Sequence, residues 1–176
     1  MRYHRADIVD RAISLLDEVG LEALSVRRLA GELGVRPSAL YHHFASKAEL
    51  LAAVADEIVA RGRRPTEVVS WQAELELICV ELRDTMLRHR DGASLLAAAR
   101  VDGAGADEPV RRMAATLAWN GADPELARVG ARTLFHYVQG HVLDAPVGDG
   151  ALADFRLGLA FILAGLEPMV TKVTTS

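Results

Sequence analysis

Apolar residues recur along most of this chain with the 3.6-residue period of an α-helix, and Gly, Pro, Ser or Asp stand where the periodic runs begin and stop. The first run has Ile8, Ala12, Leu15, Leu16 and Val19 at i, i+4, i+7, i+8 and i+11, which places them on one helix face. Aromatic residues make up only 5% of the chain, which leaves little material for strands. The sequence therefore predicts an all-α fold of about nine helices.

Capping residues predict where the helices begin and end. Ser25 and Ser46 suit N-cap positions, Pro37 suits a first turn, and Gly20 and Gly34 suit helix ends. The predicted helices cover 3–19, 26–33, 37–43, 47–62, 70–89, 92–100, a segment bracketed by Pro109 and Gly121, 124–145, and a last segment after a turn at 146–150 that ends before Pro168. Because 63–66 breaks the helical pattern, we expect a domain over 1–47, a connecting helix over 47–62 and a second domain over 63–176.

Composition excludes several classes of protein. The single cysteine, Cys79, rules out an internal disulfide or a multi-cysteine metal site, and within a helix it is better interpreted as a core residue than as a redox sensor. No apolar run approaches the roughly 18 residues of a membrane span, and the first residues lack the apolar region of a signal peptide, so we expect a cytoplasmic protein. His136, His141 and Asp144 do not converge on one helix face, so neither a metal nor another cofactor is expected. We find no nucleophile with its base, glycine-rich phosphate loop or carboxylate pair, and therefore expect no enzyme.

Charge is distributed unevenly along the chain. The net charge of −4 argues against a basic surface as a whole. Between residues 23 and 47, however, there are four basic residues and only one acid, Glu32; the basic residues are Arg27, Arg28, Arg36 and Lys47. The same stretch holds two short predicted helices around Gly34, an arrangement typical of a helix-turn-helix.

The second of these short helices has polar residues on the side predicted to be exposed. If Leu40 and Phe44 point inward, the positions left over on the helix are Ser38, Ala39, Tyr41, His42 and His43. Such a face suits the DNA major groove, while the Tyr41 hydroxyl and Lys47, at the start of the next helix, suit phosphates. Charge pattern alone nevertheless favours a merely solvated helix face over DNA binding.

Residues 5–50 resemble the DNA-binding domain of the TetR family of transcriptional regulators. The resemblance is carried by LLDEVG at 15–20, SVRRLA at 25–30, LGV at 33–35 and above all LYHHFASK at 40–47. It implies that Tyr41 and Lys47 bind backbone phosphate and that Arg27 reaches a base or phosphate. Arg36 stands where the family often has a small N-capping residue, so we expect it to touch DNA. The complete predicted DNA-binding set is Ser25, Arg27, Arg36, Pro37, Ser38, Ala39, Tyr41, His42, His43 and Lys47.

The remainder of the chain resembles the C-terminal domain of the Tet repressor subfamily, through SWQ at 70–72, LRHRDGA at 87–93 and GLE at 165–167. The resemblance implies that the last two long helices pair with their copies in a homodimer, which would read a palindromic operator. Small apolar faces on these helices suit such packing. The predicted dimerisation residues are Ala127, Gly130, Ala131, Leu134 and Val138 on one helix, and Leu157, Ala160, Phe161 and Ala164 on the other.

An apolar stripe from Trp71 to Met86 is the predicted effector sensor, although filled core is the simpler interpretation for any one of its residues. By resemblance, Leu96 and Ala99 stand where the Tet repressor has its metal-binding His and a neighbouring Thr. Leucine offers no metal donor, so we expect a small apolar effector other than magnesium–tetracycline. Arg100, His136 and Asp144 are expected to orient its polar end. The predicted ligand-binding residues are Ile58, Trp71, Leu75, Ile78, Leu82, Met86, Leu96, Ala99, Arg100, Met113 and His136.

The sequence thus predicts a ligand-released, homodimeric transcriptional repressor that binds a double-stranded DNA operator. Two alternatives remain open. One is a regulator of the same fold that answers to no small molecule. The other is a helical ligand-binding or enzymatic module with a vestigial DNA-binding head.

Overall fold

The computed structural model describes residues 3–101, 105–144 and 151–170, and these residues form helices and connecting loops without a β-strand. The prediction of an all-α fold is confirmed. In the described part of the chain the helices are α1 (Arg5–Val19), α2 (Val26–Glu32), α3 (Pro37–Tyr41), α4 (Lys47–Gly62), α5 (Trp71–Arg88), α6 (Gly92–Val101), α7 (Glu108–Trp119), α8 (Pro124–Leu143) and α9 (Ala151–Val170). None of these helices is long and apolar enough to cross a membrane.

The predicted capping residues set several of these boundaries. Ser25 Oγ accepts a hydrogen bond from the Arg28 N–H at 3.2 Å, and Ser46 Oγ accepts one from the Glu49 N–H at 3.1 Å. Gly20 ends α1 with φ of 83°, a left-handed conformation that favours glycine, and its N–H donates to Leu16 O at 2.7 Å. Local sequence therefore determines where α1, α2 and α4 lie along the chain.

Several predicted boundaries differ from the structure by one to three residues. The first helix begins at Arg5 rather than at residue 3, and α3 ends at Tyr41 rather than at 43. The predicted end of the last helix before Pro168 is wrong, because α9 continues to Val170. Leu166 and Val170 are both buried, so packing retains the last turn although proline removes one amide donor there. The predicted turn at 146–150 lies outside the described residues.

The chain divides into two compact units, over the residues that the structure describes. We call Met1–Gly62 with Thr85–Asp107 the N-terminal unit, and Arg63–Asp84 with Glu108–Ser176 the C-terminal unit. The break after Gly62 coincides with the predicted linker. The grouping of 85–107 with the first 62 residues was not predicted.

Contacts at the turn between α5 and α6 explain this grouping. The Asp91 carboxylate accepts a hydrogen bond from the Leu21 N–H at 2.9 Å, and the Arg90 N–H donates to Asp17 Oδ1 at 3.0 Å. His89 Nδ1 lies 3.0 Å from the Asp17 carboxylate. The turn is thereby fastened to the C-terminal end of α1, inside the N-terminal unit.

Ion pairs join the helices of the N-terminal unit around a core formed by Ile8, Leu15 and Leu16. Arg11 pairs with Glu18 at 2.8 Å and with Glu32 at 2.6 Å, which connects α1 to α2. Arg61 pairs with Asp10 and with Glu57, which connects α4 to α1. We call α1, α2 and α3 the three-helix head; buried aliphatic side chains hold its interior, and paired charges hold its rim.

A charge network lies between α5 and α7 in the C-terminal unit. Glu81, which is 5% exposed, accepts hydrogen bonds from the Arg64 N–H at 2.6 Å and from Arg112 Nη1 at 2.8 Å. Arg112 also donates to Glu74 at 3.1 Å. Burial alone lowers the pKa of Arg112, but the bonds to Glu81 and Glu74 outweigh it and the pKa is raised. The network anchors the start of the linker after Gly62 to α5.

Candidate nucleic-acid interface

The two short helices of the N-terminal unit are positioned by their apolar residues. Leu29 and Ala30 on α2, and Leu40 on α3, are buried. Between the helices Gly34 has φ of 65°, and the Val35 N–H donates to Ala30 O at 3.0 Å, which closes a tight turn. With its apolar side fixed in this way, α3 turns its other side outward.

The outward side of α3, together with its cap residues Arg36 and His42, carries most of the predicted DNA-binding residues. Tyr41 is 53% exposed. The structure leaves Arg27, Arg36, Pro37, Ser38, His42 and Lys47 exposed as well, and it places Ser25, Ala39 and His43 in half-buried positions. Arg36 is the N-cap residue of α3, and its side chain makes no capping hydrogen bond. The guanidinium group of Arg36 therefore takes no part in holding the helix.

A second set of contacts fixes the junction between α3 and α4, where Lys47 stands. The buried Phe44 ring lies 4.6 Å below the Arg5 guanidinium, and Arg5 also pairs with Glu49 at 3.5 Å. Glu49 in turn accepts a hydrogen bond from the Ala45 N–H at 2.7 Å. These contacts fix the start of α4, and with it Lys47, relative to α1.

Sequence reasoning missed one residue beside this surface, Tyr3. It lines a groove of ≈ 450 Å³ together with Ile8, Val35 and Leu40 of the head and with Ala39, His42 and His43. The chain before α1 is oriented by a reciprocal pair of hydrogen bonds, in which the His4 N–H donates to Asp7 at 2.8 Å. The spacing of His4 and Asp7 is that of a capping box, the one sequence signal that could have drawn attention to this segment.

The predicted ligand-binding residues fall in both units, and we describe each unit separately. Those of the C-terminal unit are Trp71, Leu75, Ile78, Leu82, Met113 and His136, and those of the N-terminal unit are Ile58, Met86, Leu96, Ala99 and Arg100. All of them are buried except Trp71 and Arg100, which are half-buried, and His136, which is exposed on α8. Arg100 donates a hydrogen bond to Asp107 at 2.6 Å.

The predicted dimerisation residues separate into two groups. On α9, Leu157 is 56% exposed, Phe161 is 69% exposed, and Ala160 and Ala164 are exposed too. On α8 the prediction needs correction, because the structure buries all five residues inside the C-terminal unit: Ala127, Gly130, Ala131, Leu134 and Val138. A Cβ added to Gly130 would lie 2.9 Å from the Leu117 side chain, so this face of α8 packs against α7 of the same chain.

Chemistry other than binding has little support in the described residues. Cys79 is buried, and burial together with the charge of Glu76 raises the pKa of its thiol to about 12. It is a core residue, as predicted. In the part of the chain that the structure describes, no group of three or more His, Cys, Asp or Glu side chains is placed to hold a metal ion.

A short exposed helix, joined by a tight turn to the helix before it and packed on α1 and α2, is the arrangement of a helix-turn-helix DNA-binding protein. The sequence model described as "Bacterial regulatory proteins, tetR family" matches residues 8–54, and the one described as "Tetracyclin repressor-like, C-terminal domain" matches residues 64–151. The chain belongs to the tetR family of bacterial regulatory proteins.

Relatives and solved structures agree with this assignment. The chain is 33% identical to the class D tetracycline repressor of Escherichia coli over 156 residues, which cover 87% of this chain and 71% of that protein. It is similar to BioQ, solved with its double-stranded DNA operator, with a TM-score of 0.80, 37% identity and coverage of 93% and 98%. It is also similar to the TetR-family protein ActR of Streptomyces coelicolor in complex with actinorhodin, with a TM-score of 0.79, 29% identity and coverage of 93% and 95%. The chain is a TetR-family DNA-binding transcriptional repressor.

Proposed function

We propose that this repressor acts in the cytoplasm as a homodimer on a palindromic operator, and that a small, largely apolar effector releases it. One observation carries the proposal: α3 buries Leu40, while Ser38 and Tyr41 on the helix and its cap residues Arg36 and His42 are exposed. The helix contributes little to the core, so these side chains are free to read base edges and to contact phosphates.

We infer a dimer because one recognition helix contacts only a few base pairs. One helix of five residues meets too few bases for a specific operator, whereas two related copies about 34–36 Å apart read two half-sites. The exposed apolar side of α9, with Leu157 and Phe161, supports pairing through that helix. BioQ, to which the chain is 37% identical, has been solved in complex with its double-stranded DNA operator.

The effector is proposed to be apolar because the predicted sensor residues are. Leu75, Ile78 and Leu82 are buried on α5, and Leu96 and Ala99 are buried on α6. The last two supply no oxygen or imidazole donor, so the residues present do not fit a magnesium–tetracycline complex. Release would be a population shift, in which the effector binds better to the form with lower DNA affinity.

Selection of bound duplexes from a random pool tests the DNA-binding part of the proposal. We expect a palindromic consensus, and sedimentation should give a particle of twice 19.0 kDa. His42→Ala should change the selected bases, because it removes a side chain proposed to contact base edges in the DNA major groove. Arg128→Ala, an exposed arginine on α8, is the matched control and should return the original consensus. A selection without a palindrome, or a monomer bound to a single site, would contradict the proposal.

Release is tested separately, by titrating apolar compounds into the complex with the selected operator. At least one compound is expected to weaken operator binding, while magnesium–tetracycline should leave it unchanged. If every compound leaves both operator affinity and melting temperature unchanged, the chain is a regulator of the same fold that needs no effector.

A further inference from the structure

Three side chains from two helices of the C-terminal unit, α5 and α8, meet around one buried ring, that of Phe155 on α9. The Arg83 guanidinium on α5 lies 5.4 Å from the centre of this ring. On α8, the rings of His141 and Tyr137 lie 5.1 Å and 5.4 Å from it. The Tyr137 hydroxyl donates a hydrogen bond to the Phe155 carbonyl at 2.8 Å, which fixes the cluster in place.

Two nitrogen atoms of this cluster lack a partner. Arg83 Nε and His141 Nε2 are buried, and neither has a hydrogen-bond partner among the residues that the structure describes. Arg83 as a whole is only 8% exposed. Buried polar groups are almost always hydrogen-bonded, so two orphaned nitrogens around one ring point to an absent acceptor.

The charge of Arg83 is also incompletely balanced. Among the residues that the structure describes, its ion-pair partner is Asp84, whose Oδ1 lies 3.5 Å from Arg83 Nη1, beyond the usual length of a strong charged hydrogen bond. The other oxygen of Asp84 is taken by Arg64. A buried arginine whose counter-ion is this distant and is shared with a second arginine is incompletely stabilised, and a ligand anion would relieve that cost.

A groove of ≈ 310 Å³ opens beside the cluster along α8. It is lined by His136, Tyr137, Gly140, His141 and Asp144, so His141 belongs both to the groove and to the Phe155 cluster. At Gly140 a Cβ would meet nothing within 4 Å, which leaves open space at the middle of the groove. The aromatic rings of Tyr137 and His141 offer flat surfaces for a ring to stack on.

We propose that this groove is a binding site for a small aromatic carboxylate, whose acid group accepts hydrogen bonds from the Arg83 Nε–H and from the Nε2–H of His141. The aromatic body of the ligand lies along α8 against Tyr137, with the exposed Asp144 at the outer end. Because Asp144 repels an anion, the carboxylate is directed to the inner, cationic end. The apolar residues assigned to the effector do not line this groove, whereas His136 and Asp144, predicted to orient the effector's polar end, do. Binding of the carboxylate need not alter the affinity for DNA.

Binding of benzoate to the full chain, without operator, tests the site. Benzyl alcohol serves as the neutral probe of similar size. We expect saturable benzoate binding by calorimetry, binding of benzyl alcohol weaker by roughly tenfold or more, and a downfield shift of one arginine Nε–H resonance that disappears in Arg83→Gln.

Three variants make the test specific. Arg83→Gln should weaken benzoate binding about tenfold or more, whereas Arg156→Gln, which removes an exposed arginine paired with Glu76 on the same unit, should not change it. Gly140→Leu fills the groove without touching Arg83 and should abolish binding, which keeps the proposal testable if Arg83→Gln does not fold. Asp144→Asn should strengthen binding.

The proposal is overturned if folded wild-type protein shows no saturable benzoate binding, if benzyl alcohol binds as tightly, or if both Arg83→Gln and Gly140→Leu bind benzoate as the wild type does. A separate measurement of operator affinity with benzoate bears only on release. Failure there leaves the site standing, and failure to bind benzoate leaves DNA binding and its release by an apolar effector standing.

Discussion

Replacing Glu81 by Gln tests how much the buried charge network stabilises the C-terminal unit. The two carboxylate oxygens of Glu81 accept from the Arg64 N–H at 2.6 Å and from Arg112 at 2.8 Å. Glutamine has nearly the same shape, but one of its two terminal atoms is an amide donor. One of the two hydrogen bonds is therefore lost whichever way the amide is turned, and Arg112 loses a counter-ion.

The size of the effect follows from what remains around Arg112. Removing one partner of a buried ion pair costs about 3–5 kcal/mol in general. Here Arg112 keeps Glu74 at 3.1 Å and Glu108 at 3.8 Å, and 20% of its side chain reaches solvent. We therefore expect the free energy of unfolding to fall by about 2–3 kcal/mol, at or below the lower end of that range.

Urea unfolding followed by circular dichroism, at one fixed protein concentration, measures the loss. Glu76→Gln is the matched control, since Glu76 lies on the same helix and pairs with Arg156 at 3.4 Å in an exposed position. The control should lose less than about 1 kcal/mol. If the two variants differ by less than about 0.5 kcal/mol, burial adds nothing to the Glu81 pair and the reasoning is wrong.

Four further predictions concern the head and the buried titratable groups. Lys47→Ala should reduce the slope of log operator affinity against log salt by about 0.9 per subunit, and an unchanged slope would exclude a phosphate contact. Tyr3→Ala should weaken operator binding about 3–10-fold in an anisotropy titration without changing the selected consensus; full affinity would remove Tyr3 from the interface. Because burial raises the pKa of Cys79 to about 12, Ellman's reagent at pH 8 should label it only in urea, and labelling of the folded protein would contradict its burial. Burial and the charge of Arg83 lower the pKa of His141 below its ordinary value of 6.5, so the unfolded chain binds more protons there and stability should fall as pH drops below about 6.5. His141→Gln should flatten that fall in urea titrations at pH 7.5 and 5.5, and an equally steep fall would assign it to other groups.

Features that depend on neighbouring residues in sequence were predictable. Ser25, Ser46 and Gly20 act within one helical turn, through a side-chain oxygen or a left-handed backbone, and their positions in the chain determine the outcome. The residues on the outward side of α3 could also be predicted from the local sequence. Once Leu40 and Phe44 point inward, the helical period leaves Tyr41 and His42 on the other side.

The direction that an apolar face takes was not predictable in the same way. A stripe of small residues packs equally well against a neighbour in the same chain or against a partner, and the period is identical in both cases. On α8 the stripe through Gly130 packs against Leu117 of its own unit, whereas on α9 Phe161 remains exposed. The choice depends on α7, a helix that lies between 108 and 119 and whose position the α8 sequence does not encode.

Buried charges escaped prediction for a related reason. Glu81 and Arg83 flank Leu82 on α5, and charged residues beside an apolar stripe are normally solvated. They are buried here because α5 contributes to the core on more than one side, through Arg112 of α7 and Phe155 of α9. From sequence alone, an amphipathic helix is assigned one buried face. The burial of Arg83 could therefore be recognised only from the packing of α5 against α8 and α9.

Pairing of the acids near α3 also affects the charge of the proposed DNA-binding surface. Glu32, the single acid between residues 23 and 47, is held at 2.6 Å by Arg11 of α1, and Glu49 beside Lys47 is held by Arg5. Each acid thus finds its cation on α1, away from α3. The exposed Arg27, Arg36 and Lys47 are consequently not compensated by these acids, and the field at the reading surface is more positive than a count of charges along the sequence indicates. An acidic protein can therefore approach DNA through this surface, because Glu32 and Glu49, the acids beside it, are paired with cations of α1.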